Sequence, residues 1–218
     1  FYDTHWLAQE GLIDLHRFSA MFGIFGLAEC VNTLLGGEGR DGRYGHDDHA
    51  NALAVRVVER VAQLVDDRPM PYCEGGDGRC YLHSQSGIDT DHDVTAGTRV
   101  PVGDEPDLLQ HLLTCAPHHQ YFTAGISDIF HMDDTAVRNP QAVVDIIRGA
   151  FRQGMRDFTF NLDSNEFVRI TGYLVRKSDL AAIAATGVAR HGSDHLAAGA
   201  EDSFHLTQRA VKRVGRGE

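Results

Sequence analysis

The eleven residues Phe167-Val168-Arg169-Ile170-Thr171-Gly172-Tyr173-Leu174-Val175-Arg176-Lys177 decide how the chain is read. An apolar run reaches Gly172, an aromatic and two more apolar residues follow it, and Arg169 and Arg176 flank it. In a strand-like segment an interior glycine costs backbone entropy and packs no side chain. Composition alone makes Gly172 the turn or bulge glycine between two short strands. Its neighbours and the rest of the chain open a second reading.

The run from Arg169 to Arg176 resembles the C-terminal signature of the glycyl radical enzymes, the family of pyruvate formate-lyase and the anaerobic ribonucleotide reductases. There the order is Arg, an aliphatic, a small residue, Gly, Tyr, then apolar residues, and the glycine carries a stable backbone radical. The resemblance implies that Gly172 is the catalytic residue, with Arg169, Tyr173 and Arg176 supporting it. The chemistry requires glycine. An α-carbon radical is planar and is stabilised jointly by the amide nitrogen and the carbonyl, and a Cβ would meet the flanking peptide planes as the carbon flattens. Glycine's wide φ/ψ range also lets a loop swing out to an activating enzyme. Tyr173 is expected to pack and anchor the turn. The two arginines either bond backbone carbonyls around it or cover surface.

Outward from this stretch, Phe158 to Leu162 alternates as a strand and Ser178 to Ala185 begins a helix. Asn139-Pro140 is a strong helix start, with Asn at the cap and Pro at the first position. Val143, Ile146, Ile147 and Phe151 form its expected buried stripe. Tyr121 to Phe130 reads as a strand containing Gly125, and Pro106 to Leu113 as a short helix. The Gly-, Asp-, His- and Thr-rich run from Tyr72 to Asp104 reads as short strands or long loops. Asn51 to Val65 is a helix capped by Asp47 or Asp48, with Leu53, Val57, Val61 and Leu64 as its apolar stripe. Trp6 to Leu35 reads as loosely interrupted helix, with Gly23 and Gly26 marking a bend or a close approach.

The order of elements extends the resemblance. Phe22-Gly23-Ile24-Phe25-Gly26-Leu27-Ala28-Glu29 is similar to a glycine-punctuated segment of that family, and Arg43-Tyr44-Gly45-His46-Asp47-Asp48 to the one that follows it. The wording of residues 22–32 and 168–180 is closest to the YjjI-type branch. The fold it implies is α/β: the C-terminal half of a ten-stranded α/β barrel over residues 1–162, the glycyl radical loop and following helix over 163–185, and a Gly-, His- and Ala-rich tail over 186–218 whose composition fits partial disorder. Family members run to about twice this length or more. The chain opens at Phe1 in what reads as mid-helix, so a fragment or trimmed chain without the catalytic cysteine loop is expected.

The remaining chemistry-bearing residues read as structural. The 218 residues are 42% hydrophobic with a formal charge of -11, which disfavours nucleic acid and anionic membrane as partners. No apolar run spans a bilayer. Four scattered cysteines fit a reducing cytoplasm. Cys30, beside Glu29, is the tempting thiyl candidate, but its place on the segment after the family's cysteine loop makes it a buried small hydrophobe. Cys73 and Cys80 are spaced too widely for a zinc knuckle and Cys115 stands alone, so no metal is expected in this chain. His46-Asp47-Asp48-His49 and Asp89-Thr90-Asp91-His92-Asp93 could bind a cation but read as cap and surface. His118 and His119 follow Pro117 in a loop near the expected cavity.

Function enters only through the resemblance. It implies a glycyl radical on Gly172, installed by a partner activating enzyme that carries an iron-sulfur cluster and S-adenosylmethionine. The radical would pass to a cysteine in the missing N-terminal half, and the thiyl would take a hydrogen atom from a small-molecule substrate under anaerobic conditions. A homodimer is compatible with it. Two other readings stand beside this one: a separate subunit that donates a glycyl radical domain, and an inert relative that keeps Gly172 only as a turn.

Overall fold

A computed structural model describes residues 4–39, 42–84, 94–101, 103–170 and 173–186. Local capping chemistry sets where its longer helices begin. Asp47 accepts from the Ala50 backbone N–H at 2.9 Å to start α3, Asp48–Asp66, and Asp48 adds negative charge at the positive end of the helix dipole. Asp107 caps α4, Leu108–Cys115, through Gln110 N–H at 3.0 Å. Asn139 caps α6, Pro140–Arg152, through Ala142 N–H, with Pro140 at the first position, where a missing N–H costs nothing. Two shorter helices, α1 at Trp6–Gln9 and α5 at Thr135–Arg138, and α2 at Leu27–Gly37 complete the set before the final helix, α7 at Lys177–Thr186.

The strands pair across these helices. β1, Ala20–Gly23, runs parallel to β2, Cys80–His83, in the register Ala20 to Cys80 through Gly23 to His83. β3, Phe130–Met132, runs parallel to β4, Phe160–Leu162, with His131 opposite Asn161. Parallel neighbours need a crossover, and each pair has a helical one: α2 and α3 for the first, α5 and α6 for the second. A parallel bridge between Ser84 and Ile126 links the end of β2 to the segment entering β3. β5, Phe167–Ile170, is antiparallel to β6, Tyr173–Arg176. The architecture is therefore mixed α/β; among the described residues the strands form three two-stranded sheets, none closed on itself.

Two apolar clusters hold these elements. The first gathers Leu27, Val31 and Leu35 of α2, the inner face of α3, Tyr44, Val100 and Phe122. The second joins Leu112 and Cys115 of α4 to Phe130, Ala150 and Met155. Tyr44 is fully buried in the first cluster. Its neighbour Gly45 has φ +93° and would place a Cβ 2.9 Å from a Val100 methyl, so the chain can only turn here as glycine. No helix among the described residues is long and apolar enough to cross a membrane.

Several elements differ from the sequence reading. Residues 6–35 are not one interrupted helix: Leu15–Arg17 is a single 3-10 turn, Met21 and Phe22 pair with Tyr81 and Leu82 as strand, and Gly26 at φ +74° starts α2. A dense apolar run has no period that separates buried helix from parallel strand. The buried stripe of α3 is Ala50, Ala54, Val58, Ala62 and Val65, whereas Leu64 is 54% exposed. Small residues let α2 and α3 approach, and the larger Leu53, Val57 and Val61 pack at the margin. In α6 only Ala150 is fully buried; Val143, Ile146 and Ile147 are half-buried and Phe151 is exposed. Of Tyr121 to Phe130 only Phe130 is strand, because Phe122 and Ile126 carbonyls are taken by local turns to Gly125 and Asp128. The Asp89–Asp93 cluster and the tail beyond residue 186 lie outside the described residues.

Candidate functional site

The antiparallel pair β5–β6 is anchored at its open end. Lys177 N–H donates to the Glu166 carbonyl at 2.9 Å, and Lys177 Nζ reaches the Asp163 carbonyl at 2.8 Å. The Glu166 carboxylate accepts from both the backbone N–H and the hydroxyl of Ser178 in the first turn of α7. These bonds hold the Glu166 carboxyl below its usual range. The pair is thus clamped to α7 on one side and packs beside β4 on the other.

Register fixes where the sequence-predicted residues fall. Arg169 sits opposite Leu174, and Tyr173 opposite Ile170. Arg176 closes the pair opposite Phe167, exposed, with its guanidinium carbon 5.1 Å from that ring's centre. That is a cation–π contact on the surface. Gly172, with Thr171, lies between Ile170 and Tyr173 in the chain and outside the described residues.

A second constellation was missed in sequence. Asp128, 3% exposed, stands where α4 meets the entry to β3. Its Oδ1 accepts from Ile129 N–H at 2.7 Å and faces Arg99 Nε at 3.5 Å. Its Oδ2 accepts from the Cys115 thiol at 2.8 Å and lies 3.1 Å from His111 Nε2. Burial pushes toward the neutral acid, but His111, Arg99 and the hydrogen bonds outweigh it, so the carboxyl stays ionised well below the ordinary range. Burial first, then Asp128, pushes the Cys115 thiol up. Cys115 is therefore held as a thiol and is not a ready nucleophile in this arrangement. His111 on the predicted helix Pro106 to Leu113, Cys115 four residues after it, and an acid inside Ile126-Ser127-Asp128-Ile129-Phe130 were the available signals.

Beside it runs a chain of neutral groups. The Tyr44 hydroxyl donates to the Thr98 carbonyl at 2.7 Å, so its oxygen takes the Nε2 hydrogen of His118 at 3.1 Å. That leaves His118 Nδ1 bare, with no hydrogen-bond partner among the described residues. His119 accepts from Arg156 N–H through Nδ1 at 3.1 Å, which leaves its buried Nε2 without a partner there. Both imidazoles are fully buried rather than loop-borne at a cavity mouth.

Burial, then the neighbouring His119, drives His118 from about 6.5 down to about 4. Burial lowers His119 as well. A depressed imidazole contributes stability that is complete above its unfolded value and is lost as pH falls toward the folded one. His118 alone is expected to remove about 3 kcal/mol of unfolding free energy between pH 6.5 and 4. Urea titrations of wild type and His118→Gln should converge by that amount on acidification. A constant difference across the range would contradict a buried neutral His118.

The other candidates are placed plainly. Cys30 is exposed on α2, against the expectation of burial, because it falls on the face turned from α3. Cys73 is half-buried and Cys80 is buried on β2. His46 bonds the Asp104 carbonyl at 2.6 Å, and Asp47 is the cap of α3.

The sequence matches the family described as "Glycyl radical enzyme YjjI-like" over residues 1–212, a span that includes β5, Gly172 and β6. The chain belongs to this YjjI-like glycyl radical enzyme family. It is 49% identical over 187 residues to "Uncharacterized protein YjjI" of Escherichia coli (strain K12), covering 86% of this chain and 36% of that protein. It is 34% identical over 215 residues to an "Uncharacterized protein" of Haemophilus influenzae (strain ATCC 51907 / DSM 11121 / KW20 / Rd), covering 97% of this chain and 42% of the relative. The chain thus spans about two-fifths of the length of these YjjI-like relatives.

Proposed function

We propose that this chain is the C-terminal part of a glycyl radical enzyme and that Gly172 stores the radical. Family membership across residues 1–212, with the Arg169-to-Arg176 signature inside it, carries this reading. A radical S-adenosylmethionine activating enzyme with an iron-sulfur cluster removes one α-hydrogen atom from Gly172, leaving one unpaired electron on that carbon. The Gly172 radical takes the hydrogen atom of a cysteine thiol in the portion of the protein preceding this chain, re-forming its C–H bond, and the thiyl left on sulfur takes a hydrogen atom from a small substrate. The product recovers that hydrogen at the end of the cycle. Arg169, Tyr173 and Arg176 position the strands around Gly172, and the β1–β2 and β3–β4 pairs with their helical crossovers are segments of the half-barrel. The site works in the absence of oxygen, in the cytoplasm.

Oxygen gives the test. Dioxygen adds to a carbon radical and the resulting peroxyl breaks the backbone there. Protein activated anaerobically and then exposed to air should be cut at residue 172, as mass spectrometry of the two pieces reads directly. Intact chains after activation and air would count against a radical on Gly172.

A further inference from the structure

We propose that His111, Cys115 and Asp128 form a binding site for one borderline divalent metal ion of the zinc class. Their donor atoms, His111 Nε2, Cys115 Sγ and a carboxylate oxygen of Asp128, all lie within 4.8 Å of one another, and all three residues are buried. Imidazole, thiolate and carboxylate together are a donor set that suits zinc. The inference reverses the expectation of no metal in this chain and does not rest on the radical reading of Gly172.

The geometry is that of a site whose ligands share protons until an ion replaces them. His111 and Cys115 stand four apart on α4, so their side chains leave the same helix face one turn from each other. Both converge on the same carboxylate oxygen, Oδ2 of Asp128, at 3.1 and 2.8 Å. The other oxygen is held from behind by Ile129 N–H at 2.7 Å and faces Arg99. Such outer contacts fix a ligating carboxylate's orientation. Phe130 packs edge-on against the His111 ring, its centre 4.7 Å away, and limits the ring's rotation.

Zinc bonds of about 2.0–2.3 Å set tetrahedral donor spacings of roughly 3.3–3.6 Å, so the His111 and Cys115 donors need move only roughly 0.2–0.8 Å further from Asp128 Oδ2. Coordination replaces the Cys115 thiol proton, which is released, and uses the Nε2 lone pair of His111, whose proton leaves or moves to Nδ1. No electron changes hands. Asp128 already carries its negative charge. Three protein donors leave a fourth position for a water molecule.

The test uses the intact protein carrying this chain, stripped with a chelator, gel-filtered and titrated anaerobically with zinc chloride or cobalt(II) chloride. Wild type should retain about one more ion per chain than folded Cys115→Ser and His111→Gln variants. With cobalt it should show a thiolate-to-metal absorption in the near ultraviolet and tetrahedral bands in the visible. Both should vanish from the difference spectrum in those variants and survive Cys30→Ser, which alters an exposed thiol on α2. Circular dichroism establishes that each variant is folded. Equal metal retention by wild type and Cys115→Ser, or a folded wild type without the thiolate band, would overturn the proposal and leave the triad as a hydrogen-bonded cluster.

Discussion

Asp128→Ala should lower the unfolding free energy by about 3–5 kcal/mol, the range for removing one partner of a buried charge cluster. The carboxylate is the acceptor for the Cys115 thiol and the Ile129 N–H, and it is the counter-charge of Arg99 and the neighbour of His111. Truncation strips each of these buried groups of its best partner. The same cluster sits between α4 and β3, so its loss also loosens the second apolar cluster around Phe130. Urea unfolding of metal-free protein, with the slope compared between variants, measures the loss. A change under about 1 kcal/mol would mean that the groups re-pair or that water fills the space. Asp128→Asn should cost less, since its single carboxamide oxygen keeps an acceptor for either the Ile129 N–H or the Cys115 thiol, while the charge is lost.

Gly172→Ala should remove radical chemistry altogether while sparing the fold. A methyl at this position opposes flattening of the α-carbon, and no other residue can stand in for the hydrogen that is abstracted. An all-or-none loss is expected, at least a thousandfold, equivalent to about 4 kcal/mol or more on the barrier. With no substrate assigned, the readout is cleavage of the activated protein in air. The variant should stay whole where wild type is cut. The helices that build both apolar clusters, α2, α3, α4 and α6, lie elsewhere in the chain, so far-UV circular dichroism should be unchanged. A variant that folds and is still cut at residue 172 would sink the reading. So would an unfolded variant, which would make Gly172 a structural glycine.

What the sequence made legible follows from how local each signal is. Asp47 and Asn139-Pro140 announced α3 and α6 because a cap bonds an N–H three residues on, within the same stretch of text. The β5 and β6 strands were legible from the apolar runs on either side of Gly172. β1 was not, since what makes Met21 and Phe22 strand is their pairing with Tyr81 and Leu82, far along the chain. The buried cluster was harder still. Cys115 alone before Pro117 looks inert, and only the fold brings it and His111 to an aspartate 13 and 17 residues away. The buried histidines were misread for a related reason: His118 and His119 follow a proline, yet a 3-10 turn over Ala116–Tyr121 carries both inward. Family resemblance filled a different gap. The motif around Gly172 carries chemistry in the wording of a few residues, and it matched the family identification across nearly the whole chain.

The central claim is that Gly172 carries an unpaired electron, and electron paramagnetic resonance reads that directly. The intact protein is incubated without oxygen with its activating enzyme and S-adenosylmethionine, then frozen. A doublet from the single remaining α-hydrogen, absent in Gly172→Ala, is the predicted spectrum. A folded, activated sample with no organic radical, or a doublet that persists in Gly172→Ala, would contradict it.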